Sequence, residues 1–323
     1  MLTLQQTAQE LLSFEDVLIL CHRNPDGDTL GSGYALCRAY LEHGVRARVF
    51  CSDEVPEKFH YLSDGIPQTE FTPRHILSVD VADPGLLGEK ALNLVASLHP
   101  VELSIDHHPT HRQFADEIYV EANSASCCEI IRVLLEEMGW EVTPSIASCL
   151  YTGIATDTGC FKFSNTSPRT HRIAAEMIEK GADYIPINKV MFDTLTFPEL
   201  ALERLALEKM WMSEDGSIAV MTITTDMLHK TSVSESELDR ITSFTRKIKG
   251  VEIGITIKQR GPEEFKVSVR TGESRSAADI CAVFGGGGHA RAAGCQFNEA
   301  DPVHIREQLL QAVRDTDPEV CHG

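Results

Sequence analysis

Eight His and Asp residues in four short segments have the types and spacing that metal chemistry requires. His22-Arg-Asn-Pro-Asp26-Gly-Asp28 sets an imidazole and two carboxylates close together, and Pro and Gly turn the chain there so that side chains converge. The same Pro-Asp-Gly string also makes an ordinary surface turn. Three further segments tilt the reading toward a ligand set. Asp80 follows the apolar run Ile76-Leu-Ser-Val, Asp106-His107-His108 follows Val101-Glu-Leu-Ser-Ile, and Asp157 ends the apolar stretch Ile146–Thr156. A carboxylate at the end of an apolar element is costly to bury alone, and a dication removes that cost.

Strands and helices must hold these residues. Asp16–Cys21, Val45–Cys51, His75–Asp80 and Val101–Asp106 are short apolar runs ending in polar residues, with helical patterns such as Leu30–His43 between some of them. This alternation predicts an α/β domain with a parallel sheet and helices on both faces. In open parallel sheets ligands gather beyond the carboxyl ends of the strands, where His22–Asp28, Asp80–Asp83 and Asp106–His108 stand. Helices are expected at Ser126–Met138, Pro144–Thr156, Pro168–Lys180 and Ile185–Phe192, and Pro198 marks a boundary, giving domains 1–192 and 198–323. The second reads as a smaller α/β domain, with a helix at Glu199–Met212 and strands at Ser217–Thr224, Gly250–Gln259 and Glu263–Arg270.

With 323 residues and 42% hydrophobic content the chain suits two globular cores. Its first residues are amphipathic, not a signal peptide, and no apolar run is long enough to span a bilayer, so a soluble, cytoplasmic protein without a membrane partner is expected. Ten cysteines without a C-x-x-C pair read mostly as buried thiols in a reducing compartment. The net charge of −19, 29 basic against 48 acidic residues, argues against long nucleic acid as a stable partner. The charge is uneven: residues 1–190 carry 14 basic and 27 acidic residues, net −13, whereas Arg246–Arg291 carries 9 and 5, net +4. A short anionic ligand suits that basic segment.

In order and spacing the four segments resemble the motifs of the DHH phosphoesterases: H-x-x-P-D-G-D at His22–Asp28, a lone Asp at Asp80, D-H-H at Asp106–His108 and a last Asp at Asp157. Gly285-Gly-Gly-Gly-His289-Ala-Arg-Ala-Ala-Gly294 is similar to the G-G-G-H signature of the DHH-associated C-terminal domain. Length and layout are most similar to the branch of nanoRNases, bifunctional oligoribonucleases that also dephosphorylate adenosine 3′,5′-bisphosphate. The resemblance implies two divalent ions, usually manganese, with His22 and Asp26 on one, Asp28, His107 and Asp157 on the other, and Asp80 bridging them. Four carboxylates balance two dications, and imidazole ligands favour manganese over magnesium. Two such ions can activate a water, hold a phosphoryl oxygen and stabilise the leaving oxygen. The resemblance further implies that Asp106 orients His107, and that His108 faces the scissile phosphate as a donor or as an aid to the leaving group. Asp83, Asn123 and Asn165 are candidates to support the ligands, and a loop or capping role suits each as well.

Outside the metal centre, Arg270, at the end of Phe265-Lys-Val-Ser-Val, is placed to fork onto a terminal phosphate. Gly286, Gly287 and Gly288 let backbone amides approach an anion, with His289 and Arg291 beside them. The leading expectation is a hydrolase for oligonucleotides of about two to five residues, since a longer strand would extend over acidic surface beyond the reach of the basic segment. Alternatives are a phosphodiesterase for cyclic di-AMP or pApA, a manganese pyrophosphatase, against which the glycine signature speaks, and a non-catalytic nucleotide-binding protein, against which the full ligand set speaks. Oligomeric state is open, a homodimer included.

Overall fold

Short runs of branched apolar residues form the centre of the first of two units, Met1–Thr194 and Leu195–Gly323, in the structure, a computed structural model that describes residues 1–233, 238 and 241–316. The first unit runs α1 (Leu4–Ser13), β1 (Val17–Leu20), α2 (Gly27–Glu42), β2 (Ala47–Phe50), β3 (His75–Val79), α3 (Gly88–Ser97), β4 (Leu103–Asp106), β5 (Glu117–Val120), α4 (Cys127–Glu137), α5 (Pro144–Asp157), α6 (Pro168–Glu179) and α7 (Tyr184–Asn188). Its five strands are all parallel, in the order β2-β1-β3-β4-β5. Alternation along β1 gives each sheet face its own core. Val17 and Ile19 join Leu36, Ile130 and Leu150 from α2, α4 and α5, whereas Leu18 and Leu20 join Ile76, Leu87 and Ala91 on the α3 side. Both faces are covered, as a parallel sheet requires.

The second unit contains α8 (Phe197–Glu208), β6 (Trp211–Met212), β7 (Ile218–Ile223), α9 (Thr225–Thr231), β8 (Ile253–Gly261), β9 (Glu264–Thr271), α10 (Ala277–Ala282), β10 (Gly287–His289), β11 (Ala292–Asn298) and α11 (Pro302–Asp315). Its six strands form a mixed sheet ordered β10-β11-β9-β8-β7-β6, with β7 and β8 parallel and the other pairs antiparallel.

The sequence patterns miss four strands. β5 is an edge strand with Ile118 alone buried, so it lacks the apolar run of the inner strands, and β10 is a glycine run whose partner is β11, through Gly287 to Gly294 and Gly288 to Ala293. The helix expected through Met212 ends at Glu208, because Trp211 and Met212 pair with Val220 and Ala219 as β6. α2 begins at Gly27, not Leu30, because Asp26 caps it. The nine described cysteines are free, and among the described residues no helix is long and apolar enough to cross a membrane.

Candidate metal centre

β1, β3 and β4 are neighbours in the first sheet, and chain order reverses at β1, which has β2 on one side and β3 on the other. The carboxyl ends at such a reversal form a natural crevice. His22 lies just past β1. Asp26 caps α2, its Oδ1 accepting from the backbone N–H of Asp28 at 3.0 Å and of Thr29 at 3.2 Å. Capping thus places Asp28 in the first helical turn. Asp80 follows β3 with φ 58°, held by its N–H donating to Ile105 O at 2.9 Å. Asp tolerates this left-handed region better than most residues, at a cost of about 1 kcal/mol or more. Asp106 ends β4, and Asp157 ends α5.

The ligand atoms gather into groups. His22 with Asp26 and Asp80 forms one, and Asp28 with His107 and Asp157 another; Asp80, Asp106, His107 and His108 form a third that overlaps both. His22 Nε2 lies 3.6 Å from Asp26 Oδ1 and 3.6 Å from Asp80 Oδ2. His107 Nε2 lies 3.4 Å from Asp80 Oδ1, 3.8 Å from Asp28 Oδ2 and 3.9 Å from Asp157 Oδ2. Most of these separations are too long for good hydrogen bonds. They suit donors sharing an ion, since two atoms each about 2.1 Å from one cation sit roughly 3–3.5 Å apart. Asp80 turns one oxygen to each histidine. Its Oδ1 and the Oδ2 of Asp106 are buried and without a hydrogen-bond partner among the described residues. Orphaned carboxylate oxygens beside imidazoles fit divalent metal ions.

Neighbours aim the ligands. His22 Nδ1 meets Arg23 O at 2.9 Å and His107 Nδ1 meets Ser124 O at 3.2 Å, which turns each Nε2 toward the carboxylates. The first turn of α4 holds Asp28: Cys127 N–H donates to Oδ2 at 2.6 Å and Cys128 N–H to Oδ1 at 3.0 Å, where the helix dipole favours an anion. Asn165 Nδ2 donates to Asp157 O at 3.2 Å and reaches Asp157 Oδ2 at 3.4 Å. Asp106 departs from expectation. Its Oδ1 lies 2.8 Å from His108 Nδ1 and accepts the N–H of His107 and His108 at 2.8 and 3.2 Å, so it orients the His108 ring, and the His107 ring is held by Ser124. Two parts of this shell, the Ser124 carbonyl and the α4 amides, escaped the sequence reading; Ser126, which caps α4, was their one local sign.

Close helix packing lets Asp28 and Asp157 converge. A Cβ added at Gly153 of α5 would collide with Cys128 Sγ and come within 2.7 Å of Asp28 Oδ1. Crowded charge then shifts the titrations. Burial, with Asp80 and Asp157, pushes the Asp28 carboxyl well up, and burial pushes Asp157 to about 7. Burial opposes protonation of His22 and His107, yet the carboxylates of Asp26 and Asp80 beside it raise His22 to about 11, and Asp80 with Asp28 raises His107 to about 10. Asp80 is buried too, but those imidazoles hold it well below the usual carboxylate range.

The remaining candidates lie outside these ligand groups. Asp83 Oδ1 accepts from Gly85 N–H at 2.8 Å, and Oδ2 lies 2.9 Å from Arg112 Nε. Asn123 is exposed. In the second unit Arg270 is half-buried on β9, with Nη1 donating to Val269 O at 3.1 Å, and burial lowers its pKa. Arg291 Nη1 donates to Gly272 O and Arg275 O, both at 2.6 Å. Gly286 packs against Gly294 and Cys295, with no room for a side chain, and Gly287 and Gly288 lie in β10. The side chain of His289 lies outside the described residues.

The model of the DHH family, N-terminal domain, matches residues 16–154, and that of the DHHA1 domain matches 215–316. The chain is 29% identical over 310 residues to the bifunctional oligoribonuclease and PAP phosphatase NrnA of Thermus thermophilus, covering 93% of this chain and 89% of that protein. To the protein of the same name from Bacillus subtilis it is 25% identical over 302 residues, 90% and 94% of the two chains. Among solved structures, an exopolyphosphatase-related protein from Bacteroides fragilis superposes with a TM-score of 0.86 at 21% identity, over 97% of this chain and 95% of that one, and shares its fold.

Proposed function

We propose that this chain, which belongs to the DHH/DHHA1 family of phosphoesterases, hydrolyses oligonucleotides of about two to five residues, with adenosine 3′,5′-bisphosphate as a second substrate, in the cytoplasm. The observation that carries this reading is the single carboxylate of Asp80 shared between two groups, with Oδ2 3.6 Å from His22 Nε2 and Oδ1 3.4 Å from His107 Nε2. His22 and Asp26 would hold one ion, Asp28, His107 and Asp157 the other, and Asp80 both, with manganese preferred for its acceptance of imidazole. When bound, such a pair supplies Lewis acidity and activates water.

The chain's own groups do the rest. With Nδ1 engaged by Asp106 at 2.8 Å, His108 has Nε2 left for a phosphoryl or leaving oxygen. Burial works against its protonation, but the bond to Asp106 and the charge of Asp80 raise its pKa, which favours the donor form. Arg270, Gly286–Gly288, His289 and Arg291 are assigned to a terminal phosphate. The two relatives named as oligoribonuclease and PAP phosphatase support the substrate class, and the −19 charge supports short substrates.

The test is product release by purified protein with Mn²⁺ from pApA, pGpG, a 20-residue oligonucleotide (~20, well past the favoured length), cyclic di-AMP and adenosine 3′,5′-bisphosphate. Dinucleotides and the bisphosphate should be cleaved fastest. Preference for cyclic di-AMP would move the chain to the cyclic-dinucleotide phosphodiesterases, and rates that hold with length would remove the short-substrate reading.

A further inference from the structure

A cavity of about 460 Å³ on the first unit is lined by Arg23, Ala82, Asp83, Leu86, Thr110 and Arg112, with Gly85 between them. Each wall continues directly from a segment of the metal centre. Arg23 follows His22, Ala82 and Asp83 come two and three residues after Asp80, and Thr110 and Arg112 come two and four after His108. Four extended residues span at most about 14 Å, and the bond from His111 N–H to His108 O at 3.2 Å folds this stretch into a shorter turn. The cavity therefore adjoins the His/Asp cluster.

Its charges are arranged, not scattered. Arg112 is tied down twice: its N–H donates to Ala82 O at 2.8 Å and its Nε meets Asp83 Oδ2 at 2.9 Å. That leaves both terminal nitrogens of its guanidinium for a ligand. Asp83 is held in turn, because its other oxygen caps the turn at Gly85 with a 2.8 Å bond. The Arg23 backbone is fixed by its N–H donating to Leu86 O at 2.6 Å, and its exposed side chain has no ion-pair or hydrogen-bond partner among the described residues. Two arginines against one aspartate leave the cavity with one positive charge, and Thr110 adds a hydroxyl. Leu86, 39% exposed, offers an apolar wall to a ribose or base.

We propose that this cavity is a second phosphate subsite, in which Arg23 and Arg112 hold a non-scissile phosphate of a nucleotide whose scissile phosphate lies at the His/Asp cluster, with Asp83 as the positioning residue for Arg112. The inference rests on the phosphoesterase reading; the phosphate is the one also assigned to Arg270 and Arg291, and the Arg23 and Arg112 variants measure the catalytic unit's own share in selecting it. A guanidinium whose Nε is tied to a carboxylate presents its two terminal nitrogens as a fork, the geometry that matches a phosphate.

Two measurements test it. The first is selectivity, the ratio of kcat/KM for pApA to that for ApA with Mn²⁺, in the wild type and in Arg23→Ala, Arg112→Ala and Asp83→Ala. The ratio should fall about tenfold in each arginine variant, through KM, and less in Asp83→Ala. Arg23→Lys should keep part of it. Equal losses on both substrates, or an unchanged ratio, would overturn the subsite. The second measurement needs no turnover. Calorimetric titration of the metal-free protein with adenosine 3′,5′-bisphosphate should give salt-sensitive binding about tenfold tighter than for adenosine, lost in an Arg23→Ala/Arg112→Ala double variant. Retention by the double variant overturns the inference even if the wild type cleaves nucleotides. A wild type that cleaves none yet shows arginine-dependent binding leaves the subsite standing and removes the phosphoesterase reading.

Discussion

Both units present groups of the right charge for phosphoester chemistry, yet they treat those groups differently. In the first, Asp80 Oδ1 and Asp106 Oδ2 are buried without hydrogen-bond partners among the described residues. In the second, arginines near the glycine loop donate to backbone carbonyls: Arg291 to Gly272 and Arg275, Arg246 to Thr271, Arg270 to Val269. A buried acceptor left alone costs about 1–3 kcal/mol, and for Asp80, whose oxygens lie beside two imidazoles, a metal ion can supply the missing partner. A guanidinium that already ties strands together has less to offer a ligand. To take a terminal phosphate, Arg270 and Arg291 would have to offer nitrogens beyond those that hold the backbone, and the contrast can be broken at several points.

The largest effect is expected from Asp80→Asn, because an amide cannot neutralise cations on both of its sides. Turnover should fall by more than about a hundredfold, and metal content by inductively coupled plasma spectrometry should drop with it. If both survive, Asp80 is no shared ligand. Asn tolerates the positive φ at this position, so a lost metal could not be blamed on the backbone.

Next comes Gly153→Ala. The methyl has no room beside Cys128 Sγ and Asp28, so α5 must move away from α2 and carry Asp157 with it. Chemical denaturation should show a loss of about 1–3 kcal/mol, with weakened metal binding. Normal stability and normal metal content together would mean that helix approach does not set the ligand geometry.

The cluster's titrations give a smaller, pH-dependent effect. In the folded chain Asp157 titrates near 7, His107 near 10 and His22 near 11, all above their ordinary values. Groups bound more tightly to protons when folded lend stability that is complete below their unfolded pKa and lost as pH rises through the folded one. The Asp157 share disappears between about pH 4 and 7, and the histidine shares between about 6.5 and 11. Asp80, whose pKa is lowered, works in the opposite sense: its share is present above about pH 4 and lost in acid. The metal-free protein should therefore lose stability from about pH 6 to 9, inside the window these pKa values span. Mn²⁺ competes with those protons, so its gain in melting temperature should be several degrees larger at the alkaline end. A gain independent of pH would detach these groups from the ion.

Smallest is the kinetic split between the units. His108→Ala should act on kcat, whereas Arg270→Ala should raise KM a few-fold, about threefold to tenfold, for substrates with a terminal phosphate. Equal losses on phosphorylated and unphosphorylated dinucleotides in the Arg270 variant would leave that arginine a strand residue like its neighbours.

The parallel sheet and the order of the four His/Asp segments are legible in the chain because the signals are local. An apolar run of four or five residues followed by a turn marks β1, β3 and β4 wherever they end up, whereas the Asp26 cap that starts α2 at Gly27 is masked by a Pro-Asp-Gly string that reads as a turn. Which atoms meet is another matter. That His107 leans on Ser124, that the α4 amides hold Asp28, and that Arg112 is braced by Asp83 all depend on contacts between segments whose spacing along the chain says nothing about distance. β10 and β11 stayed hidden for the same reason: glycine has no strand preference of its own, and Gly287–His289 becomes a strand through pairing with Ala292–Gly294. Side-chain type and short-range pattern belong to the sequence; orientation, pairing and the orphaned oxygens of Asp80 and Asp106 exist after the sheet has assembled, because they are properties of neighbours and not of residues.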